Sequence, residues 1–506
     1  MARIIKIHPA LGVARLGRSP DDFFVGPEIP LAFEIPAGGY RDAAGRLKRQ
    51  GARFRVFVYE DNKPPRELTS AEASIRWTVH LVNSKAAADR FVGVNRPSQG
   101  PRNAGVARNE LILDAGPVSL NAPGSRADLI SNRTFNGKPL KIKLGTMVPE
   151  PAGSLVVLGG HGIAGSPTNA PLEGGNNDFA NRDGWFDDTS DGPVMARVTF
   201  ADGSGSVDAL PAWVIVAPPK YAPGLQSVVT LFDALLQRAI DNGLAADPFA
   251  DPAFKPSFTN DIFPILRRAA GMRWVYAAGQ DTGPPSVFHN FDPTSASQAA
   301  SIVKKLRQPG PKLGGPGIGA GTMPKMWSDN FPDGGSGTLT PLQFKVMQAW
   351  KSGDFLSDWS GPPQPSLAIS AAGLDRAALE PCVGGPLFPG IEVSWFLRDR
   401  YAFTEPFRLD ASQRSPGDVT KQMAVPWQSD FLDCAVEAAN GPSDLVWWPA
   451  QRPIDVWIDP NGDPVSWARD GSGGTLDVKG LIDKGDQLGL ILAQGAAFLE
   501  TNRVLL

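Results

Sequence analysis

The feature that most constrains this fold is a change of hydrophobic period at a proline-rich link, PAWVIVAPPKYAPG (211–224). Before it, RFRVFVYE (53–60), IRWTVHLV (75–82), SLVVLGG (154–160) and MARVTF (195–200) alternate or run apolar at strand length, as half-buried and fully buried strands do. After it, LQSVVTLFDALLQRAIDNGL (225–244) repeats at helical spacing and stops at Gly243, a residue type that ends helices readily. FTNDIFPILRRAAG (258–271) reads as a helix capped by Thr259 or Asn260, and TLTPLQFKVMQAWKSGDF (338–355) as one with Thr340 as N-cap, Pro341 in its first turn and Gly353 beyond its end. LDRAALEPCV (374–383) is a short helix running into Pro381 and Cys382. The pattern predicts an α+β protein with a β-rich N-terminal domain over 1–222, a mainly helical segment over 223–360 and a loop-rich C-terminal region over 361–506 carrying the candidate site.

A chain of 506 residues exceeds what one core supports, and 55 glycines with 48 prolines mean short elements joined by many turns. The glycine-rich KLGGPGIGAGTMPKMW (312–327) lacks the Gly-Lys-Ser/Thr of a phosphate-binding loop and reads as structural. A net charge of -3 gives no electrostatic reason to bind nucleic acid or an anionic membrane. The apolar run LGLILAQGAAFL is too short to span a bilayer. MARIIKIHPALGVARLG lacks the regions of a secretory signal, which makes the cytoplasm the default location and leaves export by another route open. Two cysteines, Cys382 and Cys434, exclude a disulfide-stapled scaffold and any cysteine-rich metal site. His8, His80, His161 and His289 are scattered without metal-binding spacing, so no metal is expected. NRDGWFDDTSDG gathers Asp183, Asp187, Asp188 and Asp191 without EF-hand spacing, and reads as an Asx-turn loop anchored by Trp185.

Chemistry concentrates in LEPCVGGPLFPGIEVSW (379–395), followed by LVWWPAQRP (445–453). On composition alone, Cys382 and Cys434 are two buried thiols or one disulfide, and Trp447 and Trp448 are core. Yet Gly384, Gly385, Pro386, Pro389 and Gly390 fix an irregular path after Cys382, and Pro449 holds the Trp pair in a loop. Such a cysteine and such a tryptophan can supply the two halves of a quinone built from side chains. His161, between glycines at a strand end, is a candidate substrate-orienting residue, and Arg408 a candidate partner for a substrate carboxylate.

Matching stretches then run nearly end to end: IKIHPALGVARLGRSPDDFFVGPEIP, GGYRDAAGRLKRQGARFRVFVYE, IRWTVHLVNSKAAA, SLVVLGGHG, NRDGWFDDTSDGPV, DIFPILRRA, CVGGPLFPGIEVSW, VPWQSDFLDC and WWPAQRP. On them the chain resembles the lysine ε-oxidase and glycine oxidase enzymes that use cysteine tryptophylquinone. The resemblance implies a thioether between Cys382 and the oxygenated indole of Trp447, with Trp448 as the neighbouring alternative, the oxygens being installed by a separate flavoprotein. It also implies a homo-oligomer. A quinone carbonyl condenses with a neutral primary amine, a base removes the adjacent proton, and hydrolysis followed by dioxygen reoxidation gives an aldehyde or oxo acid, ammonia and hydrogen peroxide. The family carries an aspartate one helical turn before its cysteine, where this chain has Ala378; Asp375 and Glu380 flank it, and Asp430 in WQSDF is a third candidate base. The implied function is amine or amino-acid oxidation. Its rivals are oxidation of a peptide or secondary-metabolite amine, and a non-catalytic scaffold in which Cys382 and Trp447 stay unmodified.

Overall fold

The computed structural model describes residues 3–504 apart from 34, 90–100, 173–181, 277–291, 293, 307, 310–337, 385–391, 394–396, 398–400, 434–451 and 502. The strands that matter here are β1 (Ile4–His8), β2 (Leu11–Arg15), β3 (Arg49–Tyr59), β4 (Ala73–Val79), β5 (Val118–Ala122), β6 (Ala127–Phe135), β7 (Lys138–Pro149), β8 (Leu155–Gly159), β9 (Ser190–Phe200) and β10 (Ala212–Ala217). They belong to one sheet whose main path runs β6-β7-β8-β3-β2-β10-β9-β4-β5. Its outer strands show the expected alternation: in β4 Ala73, Ile75, Trp77 and Val79 are buried while Ser74 and Arg76 face solvent.

The centre of the sheet differs. Every residue of β2 and of β10 is buried, and the two pair in parallel with Trp213 opposite Leu11, Ile215 opposite Val13 and Ala217 opposite Arg15. Strands apolar on both sides must be covered on both sides. Ala14, Val214 and Val216 enter the main core on one face. Leu11, Val13, Trp213, Ile215 and Ala217 enter a second apolar cluster on the other, together with Leu231, Leu235, Leu379 and Cys382. Burial of each large apolar side chain there contributes about 1.5–3 kcal/mol, enough to press the C-terminal part of the chain onto the sheet.

The described α-helices are α1 (Leu231–Asp241), α2 (Phe263–Gly271), α3 (Ala296–Lys304), α4 (Pro341–Ser352), α5 (Ala371–Leu379), α6 (Trp427–Asp433) and α7 (Val478–Lys484), of which α1 and α5 contribute to the second cluster. The architecture is the α+β one that the periodicity predicts, and α4 has the expected Thr340 cap and a left-handed Gly353 at φ 78°. The proline-rich link expected at 211–224 contains strand β10, and three helix boundaries differ. α1 starts at Leu231 instead of 225, because Thr230 and Asp233 form a reciprocal capping box and Thr230 pairs as an extended residue with Val383. The helix expected over 258–271 is capped by Ser257, and its first turn, Phe258–Ile262, is a π turn. Pro264 has no N–H to return to residue 260, so the backbone widens there before α2 proper. α5 runs from Ala371, capped by Ser370, and ends at Leu379; Glu380 still has helical dihedrals and donates to Arg376 O, but Pro381 has no N–H with which to continue the ladder.

The acidic loop ties the sheet to the segment preceding α6. Asp187 accepts from Lys85 Nζ at 2.5 Å, Thr189 Oγ1 at 2.6 Å and Trp427 N at 2.9 Å. Asp191 accepts from Thr420 N at 2.8 Å and Trp213 Nε1 at 2.9 Å, Asp183 from Asn103 N at 2.7 Å, and Trp185 Nε1 donates to Ala170 O at 2.9 Å. Among the described residues no group of three or more His, Cys, Asp or Glu could hold a metal ion, and no helix is long and apolar enough to cross a membrane.

Candidate active site

Cys382 lies three residues past the end of α5, in a turn stitched to the start of α1. Its carbonyl accepts from Leu231 N at 3.0 Å, and Gly384 N donates to Val229 O at 3.1 Å. A Cβ on Gly384 would stand 1.8 Å from Thr230 O, so only glycine allows these two backbones to meet. Pro381 O accepts from Lys220 Nζ at 2.7 Å. The glycine after the cysteine and the residues before α1 therefore serve one purpose, which is to fix Cys382 against the outer face of β2 and β10.

The thiol is 1% exposed and is surrounded by charge. Arg15, the last residue of β2, points to the same face as Leu11 and Val13. Its Nη2 donates to Cys382 Sγ at 3.4 Å and to Glu392 Oε1 at 2.9 Å, and its Nη1 to Pro218 O at 3.2 Å. Glu392, also 1% exposed, uses Oε2 to accept from Val383 N at 3.2 Å. The thiol reaches Ala378 O at 3.5 Å. Burial, reinforced by the adjacent Glu392 carboxylate, pushes the Cys382 thiol up to about 12, against the opposing pull of Arg15 and Lys220. Burial and the neighbouring Arg15 cation bring the Lys220 ammonium down to about 7. A lone thiol in an apolar cluster would need none of these groups.

A pocket is lined in part by Pro219 and Tyr221. Gly17, His161, Trp427 and Gln428 are also among its lining residues. Gly17 is two residues beyond Arg15 and Pro219 precedes Lys220, so the pocket and the thiol cluster share two stretches of backbone. Trp427 and Gln428 are 4% and 1% exposed, and among the described residues neither Trp427 Nε1 nor Gln428 Oε1 has a hydrogen-bond partner. Burial, then repulsion from Arg49 and Lys143, lowers His161 to about 4 and keeps it neutral near pH 7.

Two models of a single family match this chain: the L-lysine ε-oxidase N-terminal model over residues 8–216, which holds Arg15, and its C-terminal model over 335–449, which holds Cys382 and Glu392. The chain belongs to the L-lysine ε-oxidase family. It is therefore an amino-acid oxidase by family. It is 26% identical to the L-lysine 6-oxidase of Marinomonas mediterranea, over 86% of this chain and 72% of that one. The crystal structure of the L-Lys ε-oxidase from that organism superposes with a TM-score of 0.77 at 24% identity, covering 99% of this chain and 94% of that one. The same enzyme's Schiff base intermediate with L-Lys gives a TM-score of 0.77 at 25% identity over 99% and 95% of the two chains.

Of the residues singled out in the sequence, Cys382 stands at the centre of this site. Trp447, Trp448 and Cys434 lie outside the described residues. Asp375 sits on α5 but is bound elsewhere, with both oxygens 3.0 Å from His8 Nδ1 and Oδ1 accepting from Ala10 N at 2.6 Å. Glu380 accepts from Arg376 Nε at 2.6 Å and Leu31 N at 2.9 Å. Asp430, on α6, pairs with Arg452 at 3.0 Å. Arg408 is 2% exposed, and its guanidinium donates to Glu405 at 3.0 Å, Pro211 O at 2.6 Å and Ile7 O at 3.0 Å. The structure thus brings Arg15, Lys220 and Glu392 to the thiol, none of which the sequence reading selected. A signal existed: Glu392 is a lone acid in the apolar, Gly/Pro-rich stretch after Cys382, and Arg15 closes an otherwise apolar strand. Their convergence needs the fold.

Proposed function

We propose that this chain oxidatively deaminates a primary amine of an amino acid with dioxygen, releasing an aldehyde or oxo acid, ammonia and hydrogen peroxide, through a cysteine tryptophylquinone formed from Cys382 and Trp447. The observation that carries the reading is the Cys382 sulfur, buried beside Arg15 and Glu392 in a chain of this family. That half of the cofactor fits: the thiol sits in a rigid, dry turn, and Arg15 can stabilise a thiolate as sulfur is engaged. When formed, the quinone supplies an electrophilic carbonyl and an electron sink. The protein's own residues hold and desolvate. The pocket beside Pro219 takes the substrate, neutral His161 orients its amine without repelling it, and Trp427 Nε1 with Gln428 Oε1 receives its polar groups. A flavoprotein partner installs the ring oxygens before the thioether closes.

The test is a peptide mass of chain coexpressed with that flavoprotein, together with peroxide release over a panel of amino acids and amines. Two added oxygens, a Cys382–Trp447 crosslink and amine-dependent peroxide are expected, and Cys382→Ser removes both crosslink and peroxide. Plain-sequence mass with no peroxide from any substrate would refute the proposal.

A further inference from the structure

We propose that Glu392 is the base that takes the Cys382 thiol proton when the thioether forms, with Arg15 holding acid and base in register; this rests on the quinone reading above. The geometry singles out this carboxylate. Asp375 and Glu380 are held by His8, Ala10, Arg376 and Leu31, and among the described residues no hydrogen bond joins either to Cys382 or to Arg15. Position 378, one turn before the cysteine, is an alanine whose carbonyl oxygen, 3.5 Å from Sγ, can accept the S–H hydrogen bond but cannot keep the proton. Glu392 is buried beside the thiol and is tied on both oxygens, by Arg15 Nη2 at 2.9 Å and by Val383 N at 3.2 Å, the amide that follows Cys382. Arg15 Nη2 donates to both carboxylate and sulfur, so it stabilises the negative charge on whichever of the two holds it as the proton crosses. Lys220, bound to Pro381 O, adds a second cationic neighbour to the emerging thiolate.

The S–H bond breaks and its proton passes to Glu392. Sulfur bonds to a carbon of the oxygenated indole, whose dicarbonyl takes up the electron pair. The ring hydrogen at that carbon leaves as a proton, and both protons end on the ring oxygens. Dioxygen then removes two electrons and two protons as hydrogen peroxide, restoring the dicarbonyl. Glu392 thus begins and ends as a carboxylate. Arg15 is a positioning residue in this scheme.

The experiment coexpresses the flavoprotein with wild-type chain, Glu392→Gln and Glu392→Asp, and reads peptide mass and Cys382 alkylation in denaturant, with circular dichroism as the check on folding. Glu392→Gln is expected to gain the indole oxygens while its crosslinked fraction falls at least tenfold and Cys382 stays alkylatable. Should Glu392→Gln not fold, Glu392→Asp is the variant to read. Its carboxylate is withdrawn by about 1.5 Å, and the same tenfold slowing of crosslinking is expected. Wild-type crosslinking in a folded Glu392 variant, with the wild-type chain itself crosslinked, would overturn the role of Glu392 alone. A wild-type chain without oxygens or crosslink would overturn the quinone reading, and this proposal with it.

Discussion

The turn that presents Cys382 depends on a glycine, and Gly384→Ala measures how strongly. The added Cβ would lie 1.8 Å from Thr230 O and 2.2 Å from Thr230 C, both backbone atoms. A carbon needs about 3.3 Å from a carbonyl oxygen, so the two strands must part by about 1.5 Å. That opening breaks the Gly384 N–Val229 O and Leu231 N–Cys382 O bonds, now 3.1 and 3.0 Å. Two lost hydrogen bonds at about 1 kcal/mol each and an overpacking cost of about 1–3 kcal/mol give a loss of about 3–5 kcal/mol. Gly353→Ala is the control. Its φ is 78° and nothing lies within 4 Å of the added Cβ, so only the left-handed backbone penalises it, by about 1–2 kcal/mol. Urea unfolding gives the energies, and amide hydrogen exchange of peptides spanning Leu231 and Gly384 localises the opening. A Gly384→Ala loss no larger than that of Gly353→Ala, with unchanged exchange at Leu231, would show that the backbone contact does not hold the cysteine turn.

Two further outcomes follow from the placement of other residues. His161 titrates near 4 when folded against 6.5 ordinarily, so between those values the unfolded chain binds more protons and stability falls as pH drops through that window. His161→Gln is expected to flatten the melting temperature between pH 6.5 and 4, and an unchanged pH profile would contradict the burial assigned to this ring. Arg408→Met removes donors to Ile7 O, Pro211 O and Glu405. It should cost about 2–4 kcal/mol of stability while leaving the KM for an amine substrate within about twofold; a large rise in KM with intact stability would return Arg408 to the substrate.

Much of the architecture was legible in the residues themselves because it rests on local chemistry. The period change near residue 220 and the Thr340 and Gly353 boundaries of α4 are each written in a short window, whereas the stretch read as a proline-rich link holds the fully buried central strand β10, paired with β2 about two hundred positions away. The candidate site was legible only around Cys382, where glycines and prolines mark a forced path. The start of α1 was misread because hydrophobic period alone cannot tell that residues 229–230 pair with the cysteine turn more than 150 positions away. Asp375, Glu380 and Arg408 look available in sequence, since a charged side chain reads as free until its partners are known; folding gives them His8, Arg376 and Ile7. Arg15 and Glu392 look incidental for the converse reason. The sequence by itself determined the strand and helix classes, the family and the cysteine, because these depend on neighbours along the chain. Which charges reach the sulfur was decided only by tertiary structure: Arg15 and Glu392 are 377 positions apart, and only closure of the sheet and docking of α5 onto it place them on one buried thiol.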